Sequence, residues 1–162
     1  MLRLIIIALL VMTGCSSPQI NDNTSWDWQI SGKIYYKTPQ ERGSANLLWQ
    51  HAKQLDSIQL SGPLGQGATR FVFSPNNARL LKDGKVIKSA DNINELLADS
   101  LPWQIPIDNL KGWLASPQQE NEFVENGWQV TASQFDHLQR PQKIAARHDD
   151  YQLTLLISKW IP

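Results

Sequence analysis

From Trp28 onward the chain alternates. Trp28, Ile30, Gly32, Ile34 and Tyr36 fall on one face of an extended segment, and Gln29, Ser31, Lys33 and Tyr35 on the other. A period of two confines a chain to half-buried strands, because successive side chains point to opposite sides of a pleated backbone. Strand-like runs recur at Ala45–Gln50, Ser57–Leu60, Thr69–Phe73, Ala78–Leu81 and Val86–Ser89. The breaks between them carry turn chemistry: Pro39, Gly43, Pro75-Asn76-Asn77 and Asp83-Gly84. Asp-Gly between apolar runs is a hairpin signal, since both central residues of a type I′ turn need positive φ.

The period then changes. Asp91 is placed to cap a helix in which Ile93, Leu96 and Leu97 share a face. Pro106 precedes a second helix with Ile107, Leu110, Trp113 and Leu114 at helical spacing, and Pro117 closes it. Strands resume at Asn121–Glu125, turn at Asn126-Gly127, and continue through Trp128, Val130 and Ala132. A last pair, Lys143–His148 and Tyr151–Trp160, is joined at Asp149-Asp150. The expected fold class is mainly β (α+β), with about ten or eleven antiparallel strands and two inserted helices. Short strands with one apolar face suggest a barrel or a strongly curved sheet, and the helices are the available cover.

Ahead of this domain lies a leader. Met1–Gly14 has a basic start at Arg3, an apolar run over Leu4–Met12 and small residues before Cys15, the layout of a secretory signal. The apolar run falls well short of the roughly 20 residues a membrane-spanning helix needs. Met12-Thr13-Gly14-Cys15 resembles the lipobox of bacterial lipoproteins, with Met12 where leucine is usual. The resemblance implies that Cys15 becomes a lipidated N-terminus, and Ser16 in place of aspartate points to the outer membrane. The organisation is thus a signal peptide over 1–14, a lipidated N-terminus and polar tether over 15–25, and one domain over 26–162. Cys15 is the only cysteine, so no disulfide within the chain staples the fold.

Fifteen Lys and Arg balance fifteen Asp and Glu. Nucleic-acid binding demands a basic stripe, so nucleic acid is not an expected partner. The three histidines, His51, His137 and His148, are far apart and none has metal-ligand spacing. His148-Asp149-Asp150 falls in a turn, where exposed polar residues are the ordinary case. No Gly-x-Ser-x-Gly elbow occurs, and enzyme activity, metal and cofactor are not expected. Seven tryptophans are a heavy load for this length. Large aromatics fill cores and line apolar pockets alike.

One glycine-rich segment remains, Gly62-Pro63-Leu64-Gly65-Gln66-Gly67. It is no phosphate cradle, because no Lys-Ser/Thr follows and the next element is a strand. A leucine between Pro63 and Gly65 at a loop tip is either tucked back or displayed. On physics alone tucking is favoured.

Together these residues resemble the LolB family of outer-membrane lipoproteins, which receive lipoproteins in the localisation (Lol) pathway of Gram-negative bacteria. The resemblance is carried by Ile30-Ser31-Gly32-Lys33-Ile34, by Ser44–Gln50, and by Leu60–Gly67. It continues through Leu96-Leu97, Trp103–Ile107, Leu110–Trp113, Asn126–Val130 and Trp160. Trp113–Pro117 departs from the family pattern, which carries a glycine and one more residue before the proline.

The resemblance implies an incomplete antiparallel barrel around a hydrophobic cavity, with the helices as a lid. It also implies a monomer that accepts acyl chains from a periplasmic, LolA-like carrier and inserts lipoproteins into the inner leaflet of the outer membrane without nucleotide hydrolysis. Pro63, Leu64 and Gly65 then form a membrane-insertion loop with Leu64 displayed, reversing the preference for tucking. The expected lining is Ile30, Ile34, Trp49, Leu60, Phe71, Phe73, Val130, Leu153 and Leu155, with Leu97 and Trp113 from the lid. Periodicity alone makes the same faces packed core. A structural lipoprotein or general lipid-binding module with a packed interior is therefore the alternative, and a hydrolase is a remote third.

Overall fold

Alternating side chains and tight turns wind the chain into two antiparallel meanders that join in one sheet. The computed structural model describes residues 24–98, 100–101, 107–115 and 122–161. Cys15, Trp103, Pro106, Pro117 and Asn121 lie outside the described residues. Strands β1 (Trp28–Lys37), β2 (Arg42–Ala52), β3 (Leu55–Ser61), β4 (Thr69–Ser74), β5 (Asn77–Lys82) and β6 (Lys85–Ala90) come first. Helices α1 (Ile93–Ala98) and α2 (Ile107–Ala115) follow. The chain then forms β7 (Glu122–Glu125), β8 (Trp128–Phe135), β9 (Pro141–His148) and β10 (Tyr151–Ile161).

The ten strands form one sheet in the order β6-β5-β4-β3-β2-β1-β10-β9-β8-β7. Every neighbouring pair but one is a sequential hairpin; β1 with β10 is the seam that joins the two halves of the chain. The sheet does not close, and β6 and β7 are its edges. This is the incomplete antiparallel barrel, with helices inserted between the two meanders. Asp83-Gly84 and Asn126-Gly127 turn with positive φ at both residues, as the hairpin chemistry requires.

One cap differs from expectation. Asn92, not Asp91, caps α1: its side-chain oxygen accepts from the Glu95 amide at 2.9 Å. An N-cap oxygen reaches the amide three residues on, and the helix starts one residue later than a cap at Asp91 allows. The apolar faces come out as the spacing predicts, with Ile93, Leu96 and Leu97 of α1 and Ile107, Leu110, Trp113 and Leu114 of α2 buried.

The core lies between the helices and the inner face of the sheet. Ile30 and Ile34 of β1, Trp49 of β2, Phe71 of β4 and Leu155 of β10 are at most 1% exposed. Five of the tryptophans fall into two aromatic groups. Trp28 packs on Trp49, His51 and Trp160 with ring centroids 5.1–6.0 Å apart. Trp113 of α2 packs on Phe123 and Trp128 at 6.3 and 6.2 Å. Trp160 also donates to the Pro141 carbonyl at 3.0 Å and lies under the Arg140 guanidinium, which ties the end of the chain to the β8–β9 loop.

Candidate functional site

The helices close over an interior made of carbon. Ile34, Trp49, Leu60, Phe71 and Leu97, all named from the sequence, line a cavity under α1 and α2. Leu47, Ile58, Ile93, Leu101, Ile107 and Leu110 complete the lining and were not named as lining from the sequence. Their signal was present in part. Leu47 and Ile58 alternate in step with Trp49 and Leu60, and Ile93, Ile107 and Leu110 sit on the predicted helix faces. Leu101 follows α1, where the Ser100 and Leu101 amides close on the Leu97 carbonyl. Ile30, Phe73, Trp113, Val130, Leu153 and Leu155 are buried in the same core but do not line this cavity.

The cavity volume is about 10 Å³. That is about the space of one water. The side chains of the helices fill the space that an alkyl chain needs. An alkyl chain does not fit this cavity as it stands.

Two polar contacts hold α2 down. The Lys111 ammonium meets Oδ2 of Asp56 on β3 at 2.9 Å. The other oxygen, Oδ1, accepts from the Trp49 indole at 2.9 Å and faces Nδ1 of His51 at 2.9 Å. An ionised carboxylate only accepts, so His51 presents its Nδ1–H. At the far side of the helix, the Trp113 indole donates to Glu125 of β7. Among the described residues no backbone bond crosses from α2 to the sheet, so these side chains are its fasteners.

Leu64 stands outside all of this. It is 85% exposed, against the tucking that simple propensity favours and as the resemblance implies. The loop explains why. Gly62 bonds Gln66 and Gly65 bonds Gly62 through the backbone at 2.9 and 2.8 Å, and Asn46 on β2 clamps the Gly62 carbonyl at 2.9 Å. Gly65 and Gly67 take φ of +81° and +63°. This short closed turn leaves a Leu64 side chain no path back to the core. Pro63 and Gly65 beside it are exposed too.

Catalytic arrangements are sparse. His148 Nδ1 lies 3.4 Å from Asp149 in an exposed turn, and Asp56 and His51 are engaged as above. Among the described residues no group of three or more His, Cys, Asp or Glu is placed to hold a metal ion, and no helix is long and apolar enough to cross a membrane.

The family model described as "Outer membrane lipoprotein LolB" matches residues 26–160. The chain belongs to the LolB family. Among its relatives, the outer-membrane lipoprotein LolB of Stutzerimonas stutzeri is 34% identical over 152 residues, covering 83% of this chain and 74% of the relative. LolB of Cellvibrio japonicus is 32% identical over 155 residues, covering 82% and 76%. LolB of Pseudomonas fluorescens is 30% identical, with 83% and 74% covered. The matched span runs through the whole sheet, both helices and the Leu64 loop.

Proposed function

We propose that this LolB-family protein is lipid-anchored at Cys15 to the outer membrane, accepts acylated lipoproteins from a periplasmic LolA-like carrier, and inserts them into the membrane. The observation that carries this is an apolar-lined cavity closed by two short helices, of which α2 is fastened to the sheet by side chains. Each acyl methylene is worth about 0.8 kcal/mol of aversion to water, so free passage through the aqueous space is prohibitively slow. An apolar interior holds the chains dry, and no nucleotide is needed if each successive site binds more tightly.

The order of events follows from the geometry. Acyl chains replace the helix side chains against Ile34, Trp49, Leu60 and Phe71, and the bilayer is the final sink. Leu64 acts at that last step, as a large apolar side chain on a stiff turn that enters the lipid surface. The protein is a localisation factor, and no catalytic step is assigned to it.

The test uses a fluorescent fatty-acid probe and acylated peptide. Saturable displacement is expected; a permanently packed core gives none. Leu64→Asp is expected to accept lipoprotein from the carrier but to deliver it to liposomes at least tenfold more slowly. Undiminished delivery removes the role assigned to Leu64.

A further inference from the structure

A net charge of zero conceals a segregation. Five adjacent strands, β2, β1, β10, β9 and β8, contain no Asp or Glu at all. Alternation from the buried Ile34 and Ile144 puts Lys33, Lys37, Arg42, Lys143 and Arg147 on the outer face of these strands, and the register shift on β10, which sets Lys159 opposite Ser31, brings Lys159 to the same face. The register brings them together. Lys33 and Lys143 flank Leu156 in one cross-strand row, and Arg42 and Lys37 lie directly opposite each other, with Arg147 beyond Gln152. None of the six has a carboxylate partner among the described residues. Glu41, the nearest acid in the β1–β2 turn, is bonded by the Tyr36 hydroxyl, whose pKa is pushed up by its burial and by that carboxylate. Glu122 on the short edge strand β7 is the one acid on the outer face of this half of the sheet. Tyr35 and Leu156 stand among the cations, and a hollow of about 380 Å³ opens beside Tyr35, Lys37, Arg42, Ser44 and Gln152. The helix side is the opposite: Asp91, Glu95 and Asp108 are exposed there, and Lys111 is committed to Asp56.

Charge and chain geometry together say what lies against this face. The turn carrying Leu64 leaves β3 at Ser61, level with Asn46 and so with Lys33 midway along β1, whereas the chain enters β1 at Trp28. The five residues from Trp28 to Lys33 span about 17 Å. The segment from Cys15 to Trp26 reaches at most ~40 Å fully extended. With Cys15 and Leu64 both at one bilayer, that reach lets the strands lie along the membrane, and the charges choose which side turns down. We propose that the outer face of β9, β10, β1 and β2 is a docking surface for anionic phospholipid headgroups, laying the domain on its side with Leu64 at the water–lipid boundary. This rests on the membrane-anchored reading above. Cations and an interfacial tyrosine are what a negatively charged lipid surface attracts.

The experiment uses the lipidated full chain carrying Ser44→Cys, a site between the cations, labelled with a fluorophore; the Cys15 sulfur is blocked as a thioether. Asp108→Cys on α2 is the control. Vesicles contain phosphatidylethanolamine with phosphatidylglycerol, or phosphatidylcholine alone, and a headgroup nitroxide quenches. Quenching at position 44 is expected to exceed that at 108 several-fold on the anionic vesicles. It is expected to fall to the control level on phosphatidylcholine, in about 0.5 M salt where screening reaches only a few Å, and in the variant Lys33→Gln, Lys37→Gln, Arg42→Gln, Lys143→Gln. Equal quenching on both vesicles, or quenching that survives the fourfold variant, overturns the proposal. So does shielding of position 44 by the carrier and not by lipid, which makes the face a protein site. Displacement of the fatty-acid probe by acylated peptide, followed in the same samples, reads the interior alone. Its loss with quenching intact condemns the receptor reading and leaves the docking face standing.

Discussion

Asp56 sits on β3 with its side chain 5% exposed, among Trp49, Phe73 and the helix side chains. A buried carboxylate is costly unless every lone pair is used, and here three donors converge on two oxygens. Its partners are unequal. Trp49 and His51 belong to the neighbouring strand and stay with Asp56 whatever the helices do. Lys111 is 30% exposed on α2 and is the only one of the three that leaves when α2 moves. Asp56→Ala strips partners from all three at once and is expected to cost about 3 kcal/mol, as for breaking a buried pair. Lys111→Met leaves Oδ1 paired on the sheet side but strips Oδ2 of its Lys111 donor, and is expected to cost about 2 kcal/mol, less than Asp56→Ala. Yet it loosens the lid, so fatty-acid probe uptake is expected to rise as stability falls. Urea midpoints and probe titrations on both variants check this; reduced uptake by Lys111→Met means the pair does not fasten the lid. Little of this network was legible. Asp56 lies in a turn-to-strand segment beside a gap in the apolar pattern, and its partners come from Trp49, His51 and a helix 55 residues away.

At the level of elements the sheet was legible and its seam was not. Period-two alternation and the Asp-Gly and Asn-Gly turns marked every described strand, because each hairpin is a local decision of side-chain pattern and turn chemistry. Pairing of β1 with β10 joins residues more than a hundred positions apart, and nothing local encodes it. Gly32 is the trace that seam left in the sequence: a glycine inside a strand marks a bulge or a close approach. The register of β1 on β10 shifts between Ser31 and Gly32, and a Cβ at Gly32 falls 2.0 Å from the Leu156 carbonyl oxygen. The contact is with backbone, so no side chain can swing aside to relieve it. Gly32→Ala is expected to destabilise by about 2 kcal/mol, within the range of overpacked sites. Gly112→Ala on α2 meets nothing within 4 Å and is expected to be neutral or slightly stabilising. Equal urea midpoints for the two variants contradict the close-approach account. Leu64 and the cation face show two other limits. Apolar propensity argued for tucking because it does not see a turn locked by its own backbone bonds. Composition reported neutrality because it sums charges without placing them.

For the whole molecule, the decisive fact is that the cavity under α1 and α2 has room for about one water while its function requires room for acyl chains. Packed side chains do not compress, so the volume has to come from displacement of a unit. The sheet is a poor candidate, since every interior strand is bonded on both sides. The helices α1 and α2 are the alternative, and the side-chain hydrogen bonds that attach α2 to the sheet are those of Lys111 and Trp113 among the described residues. A closed state that must open lowers apparent affinity by the fraction open, so a tighter carrier-to-receptor transfer follows from a weaker lid. The consequence is an inverted exchange pattern. Ligands ordinarily slow amide hydrogen exchange in the elements that contact them by favouring the closed structure. Acylated peptide is expected instead to speed exchange in α2, because binding holds the helix off the sheet, while amides of β1 to β4 slow or stay unchanged. Lys111→Met without ligand is expected to shift α2 part of the way toward the same fast exchange, as one of its two fasteners is gone. Slower exchange across α2 on binding means that the chains enter without moving this helix, and the opening then belongs to another part of the barrel.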